Sequence, residues 1–214
     1  MRDLRARVAG IVVIFGVIGT AGLAYAQTEA TAQPARHGKR LSELPTFLGG
    51  AATALAAHEA GHVLFDGLFG VKPELRRVSF HGIPFFAISH RAGLPWRQEF
   101  VIDSAGFWVQ HAGSEAILTR HPSLRDERAP FLKGVLAFNV LASIAYAGAG
   151  FARTGPEERD TRGMADARRW KEPAIAALIL APALLDAYRY YHPGQRWAVW
   201  TSRGVKVGMV ALVF

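Results

Sequence analysis

The 214-residue chain contains no cysteine, so it has neither disulfides nor thiolate metal ligands, and any metal site must be built from His, Asp or Glu. Such a donor set suits a catalytic site, which keeps one position open, better than a purely structural zinc site. Internal repeats and low-complexity tracts are also lacking, as is any dense basic helix interleaved with aromatics. The net charge of +8 is instead scattered through connections, at Arg36, Lys39 and Arg40, at Arg76 and Arg77, and at Arg168, Arg169 and Lys171. That distribution argues against a nucleic-acid partner. Basic loops beside apolar segments fit anionic lipid head groups instead.

Half of the residues are hydrophobic and the mean hydropathy is above zero, a combination typical of membrane proteins. The length allows one compact unit. Residues 1 to 26 place Arg2, Arg5 and Arg7 ahead of an apolar run from Ala9 to Ala24 and close on Ala24-Tyr25-Ala26. This is the form of a secretory signal peptide with its cleavage site, or of an uncleaved anchor, since the apolar core approaches the length of a span. Residues 27 to 45 are polar, carry Pro34 and Pro45, and read as a linker. The remainder, 46 to 214, is the functional domain.

Within it, Thr46 to Phe69 reads as a helix, free of Pro and rich in Ala, Leu and Phe. Val78 to Phe80 and Phe85 to Ile88 are β-rich and fit a short hairpin. Residues 98 to 119 read as a second helix whose small pair Ala105-Gly106 would let another backbone approach closely. Residues 131 to 151 form an apolar stretch long enough to cross a bilayer. A charged loop from Arg153 to Glu172 follows and belongs in water. An apolar run from Pro173 and a last stretch from Trp197 to Phe214 complete the chain. The predicted fold class is mainly α, a polytopic membrane helical bundle with a short β-hairpin after the first helix. Lys and Arg occur in nearly every connection, so the positive-inside rule assigns no orientation.

The first helix carries His58-Glu59-Ala60-Gly61-His62, an HExxH motif. Positions i and i+4 share a helix face, so both imidazoles can reach one tetrahedral Zn²⁺. Glu59 then borders the open position, where it can act as general base toward a metal-bound water. A third ligand is required. The extended HExxHxxGxxH pattern fails, because Phe65 and Leu68 stand at its Gly and third His. Asp66 sits two turns from His58, roughly 12 Å along the axis at 1.5 Å per residue, too far to join the same ion. Glu115 on the second helix and Asp186 downstream remain. Asp186 ends a run of apolar residues one turn after Pro182. An ionisable group so placed is expected to have a charged partner, and a helix-bending proline would help aim it.

HEAGH on an apolar helix, the strand-like RVSFHGIPFFAISH, the Ala105-Gly106 pair and a late Asp186 in LAPALLDAYR together resemble the site-2 protease family of intramembrane zinc metalloproteases. The similarity covers residues 46 to 190. It implies His58, His62 and Asp186 as zinc ligands, Glu59 as catalytic base, and a peptide or membrane-protein substrate received as an added strand beside the hairpin. It also implies residence in a membrane, of the bacterial inner type. Departures are Ala187 where the family has the Gly of an LDG triplet, and Phe107 after Ala105-Gly106. Two rivals stay open: a membrane-attached zinc hydrolase with Glu115 as third ligand, and a scaffold that keeps the motif without turnover.

Overall fold

Pro45, Pro130 and Pro173 each stand in the first turn of a helix, where a missing N–H costs nothing and the fixed φ suits helical backbone. They punctuate the computed structural model, which describes residues 41–80, 83–90 and 93–213. The leader and most of the linker lie outside the described residues. A short 3₁₀ turn, Leu41–Glu43, leads into α1, Leu44–Phe69. Strands β1 (Glu74–Phe80) and β2 (Ile83–Ser89) follow, then α2 (Trp96–Arg120), α3 (Pro130–Ala152), α4 (Asp160–Arg168), α5 (Glu172–Tyr191) and α6 (Arg196–Ala211). The fold is mainly helical, with one two-stranded antiparallel sheet.

Helix α1 stops at Gly70, whose φ of 70° is left-handed. The turn lets the Val71 N–H donate to the Asp66 carbonyl at 2.8 Å, closing the helix end in the manner that favours glycine. The chain then enters the hairpin, paired from Glu74 with Ser89 to Phe80 with Ile83. Pro84, expected in the turn, is instead the second residue of β2, opposite Ser79.

Helix α1 packs against α2 and α3, α3 against α5, and α6 against α5 and α2. The α1–α3 crossing is a backbone contact. A Cβ at Gly50 would strike the Phe131 carbonyl, and one at Gly134 the Phe47 carbonyl. A buried polar tie joins α2 to α3, with Asn139 Nδ2 donating to the Gln110 carbonyl and to Ser114 Oγ, both at 3.0 Å. The core beside the motif contains Phe65, Phe100, Phe107, Met164, Ile175 and Ile179, none more than 1 % exposed. Each such side chain stabilises the fold by about 1.5–3 kcal/mol through burial.

Among the described residues one helix, α3, is long and apolar enough to cross a membrane. The charged segment from Arg153 to Glu172, read as a loop, contains the nine-residue helix α4. That helix lies on α2 and α5 and positions the site.

Candidate metal centre

One turn apart on α1, the His58 and His62 side chains both turn into the protein, 2 % and 5 % exposed. Their Nε2 atoms stand 3.3 Å apart. His62 is oriented by a hydrogen bond. Its Nδ1 lies 2.7 Å from the Ile102 carbonyl of α2, and because a carbonyl only accepts, Nδ1 carries the proton. In the neutral ring Nε2 is therefore a bare lone pair directed at the site, the tautomer that metal-binding histidines adopt. His58 is oriented by shape. Its ring meets the edge of Phe107 at 5.4 Å and stacks on Tyr146 at 5.9 Å. Gly106 closes the remaining side, where a Cβ would land on the imidazole. The small pair in α2 thus does permit a close approach, with Ala105 meeting Gly61 and Gly106 meeting His58.

The carboxylate that meets both imidazoles is Asp160, the first residue of α4. Its Oδ2 lies 3.3 Å from His58 Nε2 and 3.6 Å from His62 Nε2. The flanking residues hold it there. Arg159 donates twice to Glu172, Nε to Oε1 at 2.6 Å and Nη2 to Oε2 at 2.7 Å. Thr161 Oγ1 donates to the same carboxylate at 2.8 Å. Glu172 is the first residue of α5, so Asp160 is clamped from both sides onto that helix. Burial opposes its ionisation, but His62 and His58 outweigh burial and hold the carboxyl below its ordinary range. The Tyr146 hydroxyl also interacts with it.

His58, His62 and Asp160 form a group that could hold a metal ion. The distances support this. Two ligand atoms about 2.0–2.1 Å from one tetrahedral ion stand roughly 3.3–3.4 Å apart, and the observed edges are 3.3, 3.3 and 3.6 Å. In the metal-free protein burial lowers the His62 pKa, but Asp160 outweighs burial and raises it to about 9, so a proton on Nε2 can face the carboxylate, but one proton serves one neighbour at a time. A cation at the centre satisfies all three. Glu59 is half-buried and close enough to act electrostatically on both His62 and Tyr146.

The expectation that Asp186 completes the site is corrected. Asp186 is 1 % exposed, and burial demands a charged partner as the sequence implied, but the partner is Lys206 of α6. Lys206 Nζ donates to Asp186 Oδ1 at 2.7 Å, Ser202 Oγ donates at 3.0 Å, and Arg189 lies 3.6 Å away. Glu115 is not at the triangle either, nor is it left to solvent. It accepts from Arg189, from Arg203 Nε at 2.8 Å and from Lys206 at 2.9 Å. Asp66 is buried and faces His90, whose Nδ1 is 3.7 Å away and whose Nε2 is 3.2 Å from Glu99. Asp160 escaped the sequence reading because it sits in a segment with five acids and six bases, where nothing local singles it out. Comparison with protein-family models, with characterised proteins and with solved structures finds no match for this chain.

Proposed function

We propose that the protein is a zinc-dependent hydrolase that cleaves peptide bonds at or within a membrane, with His58, His62 and Asp160 as ligands and Glu59 as general base. The observation that carries this reading is the triangle of Nε2, Nε2 and Oδ2 atoms at tetrahedral-ligand spacing, whose two histidines lie on a helix that also presents Glu59. The all-nitrogen and oxygen donor set fits zinc in a catalytic role. Zinc, when bound, lowers the pKa of a coordinated water and polarises the scissile carbonyl. Glu59 takes the proton released as water attacks the carbonyl carbon, and returns it to the amine as the C–N bond breaks. The phenol of Tyr146, over the His58 ring and against Asp160, orients those two ligands.

Two features favour a peptide substrate in a membrane setting. Among the described residues the sheet has two strands, and the outer edge of such a strand is one that an extended peptide can join. Helix α3 has the length and hydropathy of a span, and Leu141, Ile144 and Phe151 are exposed on it. In this reading the protein is a polytopic, site-2-type protease, delivered by its apolar leader, whose third ligand comes from α4 rather than from the later helix. Metal analysis and peptide-cleavage assays on purified wild type, Asp160→Ala and Glu59→Gln test it. Wild type should hold one zinc and cleave, Asp160→Ala should lose both properties, and Glu59→Gln should keep zinc without turnover. Cleavage unchanged in Glu59→Gln would refute the general-base role.

A further inference from the structure

The two strands of the hairpin are not equally placed. Strand β2 touches the motif helix α1, and the chain leaving it is pinned at His90, whose Nδ1 lies 3.7 Å from Asp66 Oδ1 and whose Nε2 lies 3.2 Å from Glu99 Oε1. Strand β1 is the open one. Glu74, Leu75, Arg76 and Arg77 are all exposed, and because successive side chains of a strand point to opposite faces, both faces of this half of β1 meet solvent. The same strand runs beside the candidate metal centre. Arg76 Nη1 lies 3.9 Å from Glu158 Oε1, and Glu158 precedes the donor Asp160 by two positions, at most about 7 Å of extended chain.

The two faces of β1 differ in charge. Glu74 and Arg76 alternate onto one face, where Arg76 is met by Glu158. Leu75 and Arg77 alternate onto the other. The Arg77 guanidinium has no ion pair or hydrogen bond among the described residues, and Leu75 is 70 % exposed. A strand added along β1 sets its own alternate residues against these two, since side chains two positions apart on it share a face. Opposite charges across paired strands attract and like charges repel. A carboxylate therefore suits the position facing Arg77, an ammonium does not, and an apolar side chain suits the position facing Leu75.

Resting on the peptide-hydrolase reading above, we propose that β1 selects the substrate: the extended segment it receives carries an acidic residue opposite Arg77 and an apolar residue two positions away opposite Leu75. The pattern is the same for a parallel or an antiparallel addition, because only the spacing of two is read. Arg76 takes no part in the choice, since Glu158 already faces it.

The test uses full-length, zinc-loaded, detergent-purified protein and fluorescein-labelled peptides of one extended, Thr-rich sequence. A single position is Glu, Gln or Lys, with Leu two residues away, and this pair is walked along the peptide. Binding is read by fluorescence anisotropy on Glu59→Gln, so that the peptides stay intact, and cleavage is read separately on protein with Glu59 in place. At one placement Glu should bind more tightly than Gln, by up to about fivefold, and Lys more weakly. Adding Arg77→Glu should reverse that order, whereas Arg76→Gln should preserve it. Leu75→Ser should cancel the gain from the neighbouring Leu of the peptide. Higher salt should narrow the difference between Glu and Lys. All three substituted residues are exposed, and melting curves establish that the variants fold. Absence of peptide binding, binding with no charge order at any placement, or an order unchanged in folded Arg77→Glu would overturn the inference. Peptides that bind in the expected order but are never cut refute the hydrolase reading and leave the strand selectivity standing.

Discussion

Replacing Gly106 by alanine adds one methyl group to a helix, a change that in open surroundings is favourable by roughly 0.5–1 kcal/mol. At this position the methyl would stand 2.5 Å from both His58 Nδ1 and Nε2, where non-bonded carbon and nitrogen ordinarily keep about 3.5 Å. The imidazole must therefore retreat by about 1 Å or α1 must move away from α2. The second route would give up the close α1–α2 packing at Gly61, where an added Cβ would stand 3.0 Å from the Ala105 carbonyl oxygen, so the ring takes most of the displacement. Overpacking of this kind destabilises by about 1–3 kcal/mol. The larger effect should fall on the metal. His58 Nε2 is 3.3 Å from each of its two partners, and a shift of about 1 Å leaves an ion able to reach only two ligands at normal bond length. Metal affinity should drop by at least the 10- to 100-fold seen when groups that orient ligands are removed. Competition with a chelating dye measures this directly. Gly148→Ala is the control, because no atom lies within 4 Å of its added methyl, and it should slightly raise the melting temperature with metal affinity unchanged. Wild-type metal affinity in folded Gly106→Ala would refute the assignment of His58 as a ligand.

Asp160→Asn should lose metal while Asp186→Asn keeps it; metal analysis of the two purified variants separates them. Asp186→Asn should instead lower stability, by about 3–5 kcal/mol if Lys206 is left uncompensated and less to the extent that Glu115 takes over the charge, a loss read by denaturant titration. Glu59→Gln should retain the metal and reduce peptide cleavage by about 10²- to 10⁴-fold in a single-turnover assay. Metal affinity should fall as pH drops below about 9, because in the metal-free protein burial lowers the His62 pKa but Asp160 outweighs it and raises the value to about 9, and protons then compete for its lone pair; equilibrium dialysis at stepped pH checks this. Burial is outweighed by His62 and His58, which hold the Asp160 carboxyl pKa below its ordinary value of 3.8, so in the metal-free protein its contribution is present above that pH and is lost as pH falls through and beneath it. Asp160→Asn should flatten that acid limb in a melting series.

The helices were legible because apolar runs mark them locally, although Pro45, read as part of the linker, stands in the first turn of α1. The motif helix, the second helix and the two later apolar helices all lie within a few residues of their expected ends. Helix α4 was not legible. Its sequence DTRGMADAR is dominated by polar residues, and it buries only Thr161, Met164 and Ala165, too few to set a period. The same physical rule gave both success and error at the site. A buried carboxylate needs a positive partner, and that singled out Asp186 correctly as partnered. Which partner it finds is a tertiary fact, decided by Ser202 and Lys206 on α6. Glu115 illustrates the same point, since the cations that occupy it come from α5 and α6. The local signal that could identify Asp160 is absent, because its role depends on α4 folding back over α2 toward α1.

His58 and Asp160 are separated by 102 positions along the chain. The HExxH segment is therefore made long before its third donor exists, and a nascent chain that has advanced only through α3 displays two imidazoles with no carboxylate between them. The candidate metal site is incomplete during that interval of synthesis. It is completed only when the ribosome has passed Glu172 and the Arg159 clamp can close, so a truncated product ending anywhere before α4 lacks the third donor.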